Sequence, residues 1–148
     1  MDATPDATLI YGFTHEISHQ EFERRIKDNT LLEVCNQVPI KKGDVFFIEA
    51  GTLHAIGAGA LIAEIQQSSN STYRVYDYGR VGKDGKLREL HIEKALAVTK
   101  LEPPTRKPEP IAKLTAFADY DLTILAQCEL FNVSHFDLHG NCSLNAKK

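Results

Sequence analysis

The sequence predicts a mainly β chain: a partial small barrel carrying short helical insertions, followed by the first strands of a second β domain. Three observations lead there. The stretch Gly51 to Arg80, GTLHAIGAGALIAEIQQSSNSTYRVYDYGR, sets a histidine, a carboxylate, two amides and an arginine on short apolar segments with the period of strands. Two capping-box signatures, Ser18 with Glu21 and Thr30 with Glu33, mark helices of only a few turns. Leu101 to Pro110 holds four prolines in ten residues, which removes backbone donors and favours an extended linker before strand patterns resume.

Taken in order, Ala7 to Phe13 reads as a strand, and Ser18 opens a short helix with Phe22 and Ile26 on one face. Thr30 opens a second. Asp44 to Ile48, apolar with paired aromatics, reads as a strand that ends at the turn Ala50-Gly51 and delivers His54 just beyond. Gly57 and Gly59 punctuate a tight return. Leu61 to Gln67 alternates, with Leu61, Ala63 and Ile65 on one face and Ile62, Glu64 and Gln66 on the other; Thr72, Arg74 and Tyr76 share a face of the next strand. A turn at Lys83 to Lys86 joins two short extended pieces, and His91 to Val98 predicts one or two helical turns. Beyond the linker, Leu122 to Cys128 and Glu129 to Leu138 read as successive strands. The domains expected are therefore 1–100, a linker over 101–110, and 111–148.

Polar groups facing the inside of a small barrel are costly to desolvate unless they bind something, so the Gly51 to Arg80 stretch points to a ligand or metal. The rest of the chain excludes more than it proposes. A net charge of −3 with no basic stripe and interleaved aromatics gives no support to nucleic-acid binding. The longest apolar runs are strand length and no signal-peptide pattern opens the chain, so neither a membrane span nor secretion is expected. Cys35, Cys128 and Cys142 lack CxxC spacing and fit reduced thiols in a cytoplasmic protein. His135 and His139, four apart on a predicted strand, would lie roughly 13 Å apart along it and are not expected to share an ion. His15 and His19 straddle the cap at Ser18 and need not share a helix face.

The runs GTLHAIG and LIAEIQQSSNSTYRVYDYGR resemble the phosphomannose isomerases, specifically the short bacterial form of type I mannose-6-phosphate isomerase, a zinc-dependent enzyme of two cupin barrels. The resemblance is strongest from Gly43 to Arg80 and weaker, by general layout, on both sides. It implies a cupin-type barrel, a phosphorylated hexose substrate, one zinc ion, and the interconversion of mannose 6-phosphate and fructose 6-phosphate. It also implies an upstream glutamine-x-histidine segment and a glutamate that complete the zinc site. Neither occurs here, so the chain is expected to be a fragment, inactive alone, with the second barrel only begun.

Within the resemblance, His54 corresponds to the metal-binding histidine, the alternative being a histidine satisfied by hydrogen bonds in a turn. Arg74 corresponds to the active-site arginine, whose guanidinium would stabilise the oxyanion of an enediolate; alternatively it pairs with Glu64 or Asp77 as scaffolding. Glu64 is expected either to meet a substrate hydroxyl or handle a proton, or to orient Arg74. Gln66 and Gln67 are expected to satisfy buried polar neighbours, and Tyr76 either to supply a hydroxyl on the face of Arg74 or, as aromatic strand residues more often do, to pack. Glu49 departs from the family, where proline commonly precedes the glycine turn. A non-catalytic cupin that binds or senses sugars stands as the alternative function. Unpaired strand edges near Leu9 and Phe136 lead to the expectation of a homodimer or larger assembly.

Overall fold

The computed structural model describes residues 2–69, 71–77, 81–111 and 114–143. The chain divides into two compact units, Met1–Lys42 with Ile48–Arg106, and Gly43–Phe47 with Lys107–Lys148.

The first unit is organised on β2 (Thr8–Phe13), which pairs antiparallel with β3 (Cys35–Pro39) on one side and β4 (His54–Ile56) on the other. A two-residue strand, β1 (Asp2–Ala3), pairs with β5 (Ala60–Leu61). The β2–β3 register slips between Ile10 and Phe13. Gly12 supplies the slip with φ of +66°, and a Cβ there would stand 2.8 Å from the Pro104 ring, so only glycine fits this bulge. An extra residue reverses the alternation, which is why Ile10 and Phe13 both meet the same apolar cluster.

That cluster is built by α1 (His19–Lys27), the 3-10 turn Leu31–Val34 and α2 (Ile92–Val98). The α1 cap forms as its sequence predicts: the Ser18 hydroxyl accepts the Glu21 N–H at 3.1 Å, and Phe22 and Ile26 are buried four residues apart. Phe13 and Phe22 meet edge to face at 5.8 Å. On the outer face Arg25 is 2.7 Å from Glu21 and Lys27 is 2.6 Å from Glu23, in the favourable acid-before-base order. Asn29 turns left-handed, φ +59°, and ends the helix. The second capping box does not form. Thr30 makes no side-chain cap, and Glu33 reaches Arg25 instead at 3.1 Å, leaving a single 3-10 turn.

Three predicted strands are absent among the described residues. Asp44 to Ile48 and the described residues from Thr72 to Tyr76 carry no regular strand, and Leu61 to Gln67 keeps only its first residue in one. Alternation alone does not create a strand, which is defined by the regular ladder that two segments build together. Conversely β3 was not expected, and it exists because β2 offers it an edge. The Lys83 to Lys86 turn is a small hairpin closed by a Val81–Leu87 bridge.

The second unit holds an antiparallel meander of β6 (Thr115–Ala116), β7 (Tyr120–Gln127) and β8 (Asn132–Leu138). Tyr120 stacks on Phe117 at 4.6 Å and leans on Phe136 at 5.6 Å, the cross-strand contact that fixes the register. No helix among the described residues is long and apolar enough to cross a membrane.

Candidate functional site

His54 begins β4, in register with Tyr11 of β2, and its side chain is exposed. The turn before it is tied down at several points. Thr52 N–H donates to the Glu49 carbonyl at 3.0 Å, Lys100 N–H to the Gly51 carbonyl at 2.9 Å, and Gly12 N–H to the Leu53 carbonyl at 2.7 Å. Gly51 has φ of +85°, and a Cβ there would sit 2.5 Å from the Val98 carbonyl oxygen, so the turn approaches the end of α2 as closely as backbone permits. Lys100 Nζ donates to Glu49 Oε2 at 2.7 Å, with Arg106 Nε 3.5 Å from the other oxygen. The Lys100 hydrogen bond and charge hold the Glu49 carboxyl below its ordinary range, and the same bond raises Lys100. Beside them, burial and then the Glu49 charge push the Tyr11 phenol up. Glu49 thus ties this turn to Lys100 and Arg106 by ion pairs.

The ring of His54 is itself oriented. Nδ1 lies 3.0 Å from the Thr52 carbonyl oxygen. A carbonyl only accepts, so Nδ1 carries the proton, and in the neutral ring the lone pair is on Nε2. An imidazole held through its other nitrogen in this way is prepared to ligate a metal.

A zinc catalytic site takes three protein ligands and leaves one position open. Among the described residues no group of three or more His, Cys, Asp or Glu side chains is placed to hold a metal ion. The residues outside the description, 1, 70, 78–80, 112–113 and 144–148, include none of those four types. Among the described residues, therefore, no two further side chains of these types stand with His54 as a metal site would need.

Arg74 lies on the 71–77 segment, next to Val75, which is buried in the apolar cluster. Its Nη1 donates to the Glu89 carbonyl at 3.1 Å, and its Nε is 3.8 Å from Asp77 Oδ1. Arg88 Nε stands 3.3 Å from the other Asp77 oxygen. The main chain of Arg74 is gripped by His91, whose Nδ1 accepts its N–H at 3.1 Å and whose own N–H donates to its carbonyl at 2.7 Å. Of the two partners expected for Arg74 as scaffolding, Asp77 is present and Glu64 is not. Glu64 is exposed, as are Gln66 and Gln67, so the amides serve no buried neighbours. Tyr76 packs against the cluster, as expected of an aromatic on this segment.

No hydrogen bond or ion pair joins His54, Glu64 and Arg74 to one another. A cavity of about 270 Å³ opens between Ile10, Leu32, Gln37 and Ala55 and is lined by none of the three. Asp77 was among the partners expected for Arg74; Glu89 and His91, which hold its guanidinium and main chain, and Arg88, which meets Asp77, were missed from the sequence. A hydrogen bond between positions 17 apart on an irregular segment leaves no periodic trace.

No family model matches the chain. It is similar to the mannose-6-phosphate isomerase ManA of Bacillus subtilis (strain 168), at 37% identity over 148 residues, all of this chain and 46% of that protein. The mannose-6-phosphate isomerase of Streptococcus mutans is 34% identical over 97% of this chain and 44% of its own length. Among solved structures, the mannose 6-phosphate isomerase from Bacillus subtilis superposes with a TM-score of 0.83 at 34% identity, covering 94% of this chain and 43% of that one. The resemblance carried by Gly43 to Arg80 thus extends along the whole chain, and the fold is the mainly β, cupin-type fold of the matched part. The chain spans less than half the length of each of these relatives.

Proposed function

We propose that this chain acts as part of a mannose-6-phosphate isomerase, an aldose-ketose isomerase that interconverts mannose 6-phosphate and fructose 6-phosphate. The observation that carries the reading is the orientation of His54. Its Nδ1 is committed to the Thr52 carbonyl, so Nε2 is left for a metal, and it stands at the position where the resemblance places a zinc ligand.

His54 would contribute one ligand, and the others are not supplied by this chain. By itself it therefore turns over no sugar phosphate above background. Arg74 would stabilise the negative charge that develops on the sugar oxygen as the proton moves between C1 and C2. Its hydrogen bond to the Glu89 carbonyl and its ion pair with Asp77 hold the guanidinium in one place, so little reorganisation is needed when that charge appears. Glu64, exposed and without a hydrogen-bond or ion-pair partner among the described residues, is the group available to meet a substrate hydroxyl or carry a proton. The three cysteines, all free thiols, support a cytoplasmic setting.

The test is a chimera in which this sequence replaces the matching segment of the Bacillus subtilis relative. The chimera is expected to interconvert the two hexose phosphates. His54→Ala should lose zinc and turnover together, while Arg74→Ala should keep zinc and lose about a hundredfold or more in kcat/KM. A folded chimera that binds zinc equally well without His54 would refute the reading.

A further inference from the structure

We infer that His91 is the positioning residue of Arg74, holding its main chain while the neighbouring Glu89 carbonyl holds its guanidinium. The inference rests on the proposed role of Arg74. The Arg74 N–H donates to His91 Nδ1 at 3.1 Å, and the His91 N–H donates to the Arg74 carbonyl at 2.7 Å. The pair closes a ring like one rung of an antiparallel ladder, with an imidazole nitrogen in place of one carbonyl. Two residues earlier, the Glu89 carbonyl accepts Arg74 Nη1 at 3.1 Å. Residues 89–91 therefore grip both ends of one arginine, on a segment where no strand partner does so. The segment is anchored in turn because α2 starts directly after it and buries Ala95.

The bond defines the chemistry of the ring. Nδ1 accepts, so in the neutral ring the proton sits on Nε2, the opposite tautomer to His54. Beside the ring are the Glu89 carboxylate, 3.9 Å from Nε2, and the Tyr73 ring at 6.4 Å, which carries Lys94 over its own face at 6.0 Å. Protonating Nδ1 sets a donor against a donor and releases the Arg74 N–H.

The ring contact with Tyr73 gives a control that separates packing from hydrogen bonding: His91→Phe keeps an aromatic ring and removes the acceptor. Nitrogen-15 NMR of the full chain should find neutral His91 in the Nε2–H form, with the Arg74 amide proton shifting as the ring is titrated. In His91→Phe, Arg74 amide exchange should accelerate by about tenfold or more while that of buried Val75 is unchanged. In the chimera, His91→Phe should lower kcat/KM by about tenfold with zinc content unchanged. An Nδ1–H tautomer, an Arg74 amide indifferent to both titration and substitution, or full turnover in His91→Phe overturns the inference. Full turnover in Arg74→Ala instead overturns the functional reading on which it rests.

Discussion

At the scale of single residues, what a group can do here is decided by which of its atoms is already committed. His54 and His91 have the same side chain and opposite assignments, one donating through Nδ1 to a carbonyl and the other accepting through Nδ1 from an N–H. Cys35 gives a third case. It is buried between β2 and the helical cluster, its Sγ–H donates to the Leu31 carbonyl at 3.3 Å, and burial pushes its thiol from 9.0 to about 11. A thiolate there would lose both solvation and its bond. Because the folded value is the higher one, the stability tied to the protonated thiol is complete below pH 9 and is lost as pH rises through about 11. At pH 8 the native chain should alkylate at Cys35 at least about a hundredfold more slowly than the urea-unfolded chain, read by mass spectrometry. Equal rates in the two states would show that the site is open. His54 was legible in the sequence because its surroundings carry the resemblance, whereas the role of His91 depends on a distant segment arriving beside it.

Elements differ in how local their causes are. Everything that makes α1 lies within a few residues of it: a hydroxyl at Ser18, Phe22 and Ile26 at helical spacing, acids four places before bases, and Asn29 to turn the chain out. It was therefore readable from sequence. Its weight in the fold is testable, because Phe22 is fully buried against Phe13. Phe22→Ala should cost about 3–5 kcal/mol and Ser18→Ala about 1 kcal/mol of unfolding free energy, measured by urea titration. Equal small losses would mean that α1 sits on the cluster without completing it. Strands carry no such local signature. Asp44 to Ile48 runs apolar and Leu61 to Gln67 alternates as strands do, yet among the described residues the first carries no regular strand and the second only at Leu61. Cys35–Pro39 contains Asn36 and Gln37 and ends in proline, and it pairs with β2 along Thr8, Leu9 and Ile10. Pairing is a property of two segments, so one segment's pattern misjudges it in both directions.

At the scale of the whole molecule, that pairing puts Leu9 on the central strand of its sheet, not at an unpaired edge as expected, and leaves β3 and β4 as the outer strands among the described residues. The three-stranded sheet of the first unit runs β3-β2-β4, so the outer sides of β3 and β4 present backbone donors and acceptors without a strand partner among the described residues. Ile56 on β4 adds a 47% exposed apolar side chain at one of these edges, and Leu61 on β5, in the two-stranded sheet with β1, is 70% exposed. A net charge of only −3 offers little repulsion against a second copy. The chain is accordingly expected to associate into dimers or larger assemblies as concentration rises, with light scattering giving a mass that increases across the series. Ile56→Lys puts a charge at the edge where natural sheets use one to block pairing, and it should return the chain toward monomer without loss of secondary structure. Monomeric mass at high concentration, with the outward-facing amides of Ile56 and Gln37 already protected from exchange, would show that these edges are closed within a single chain.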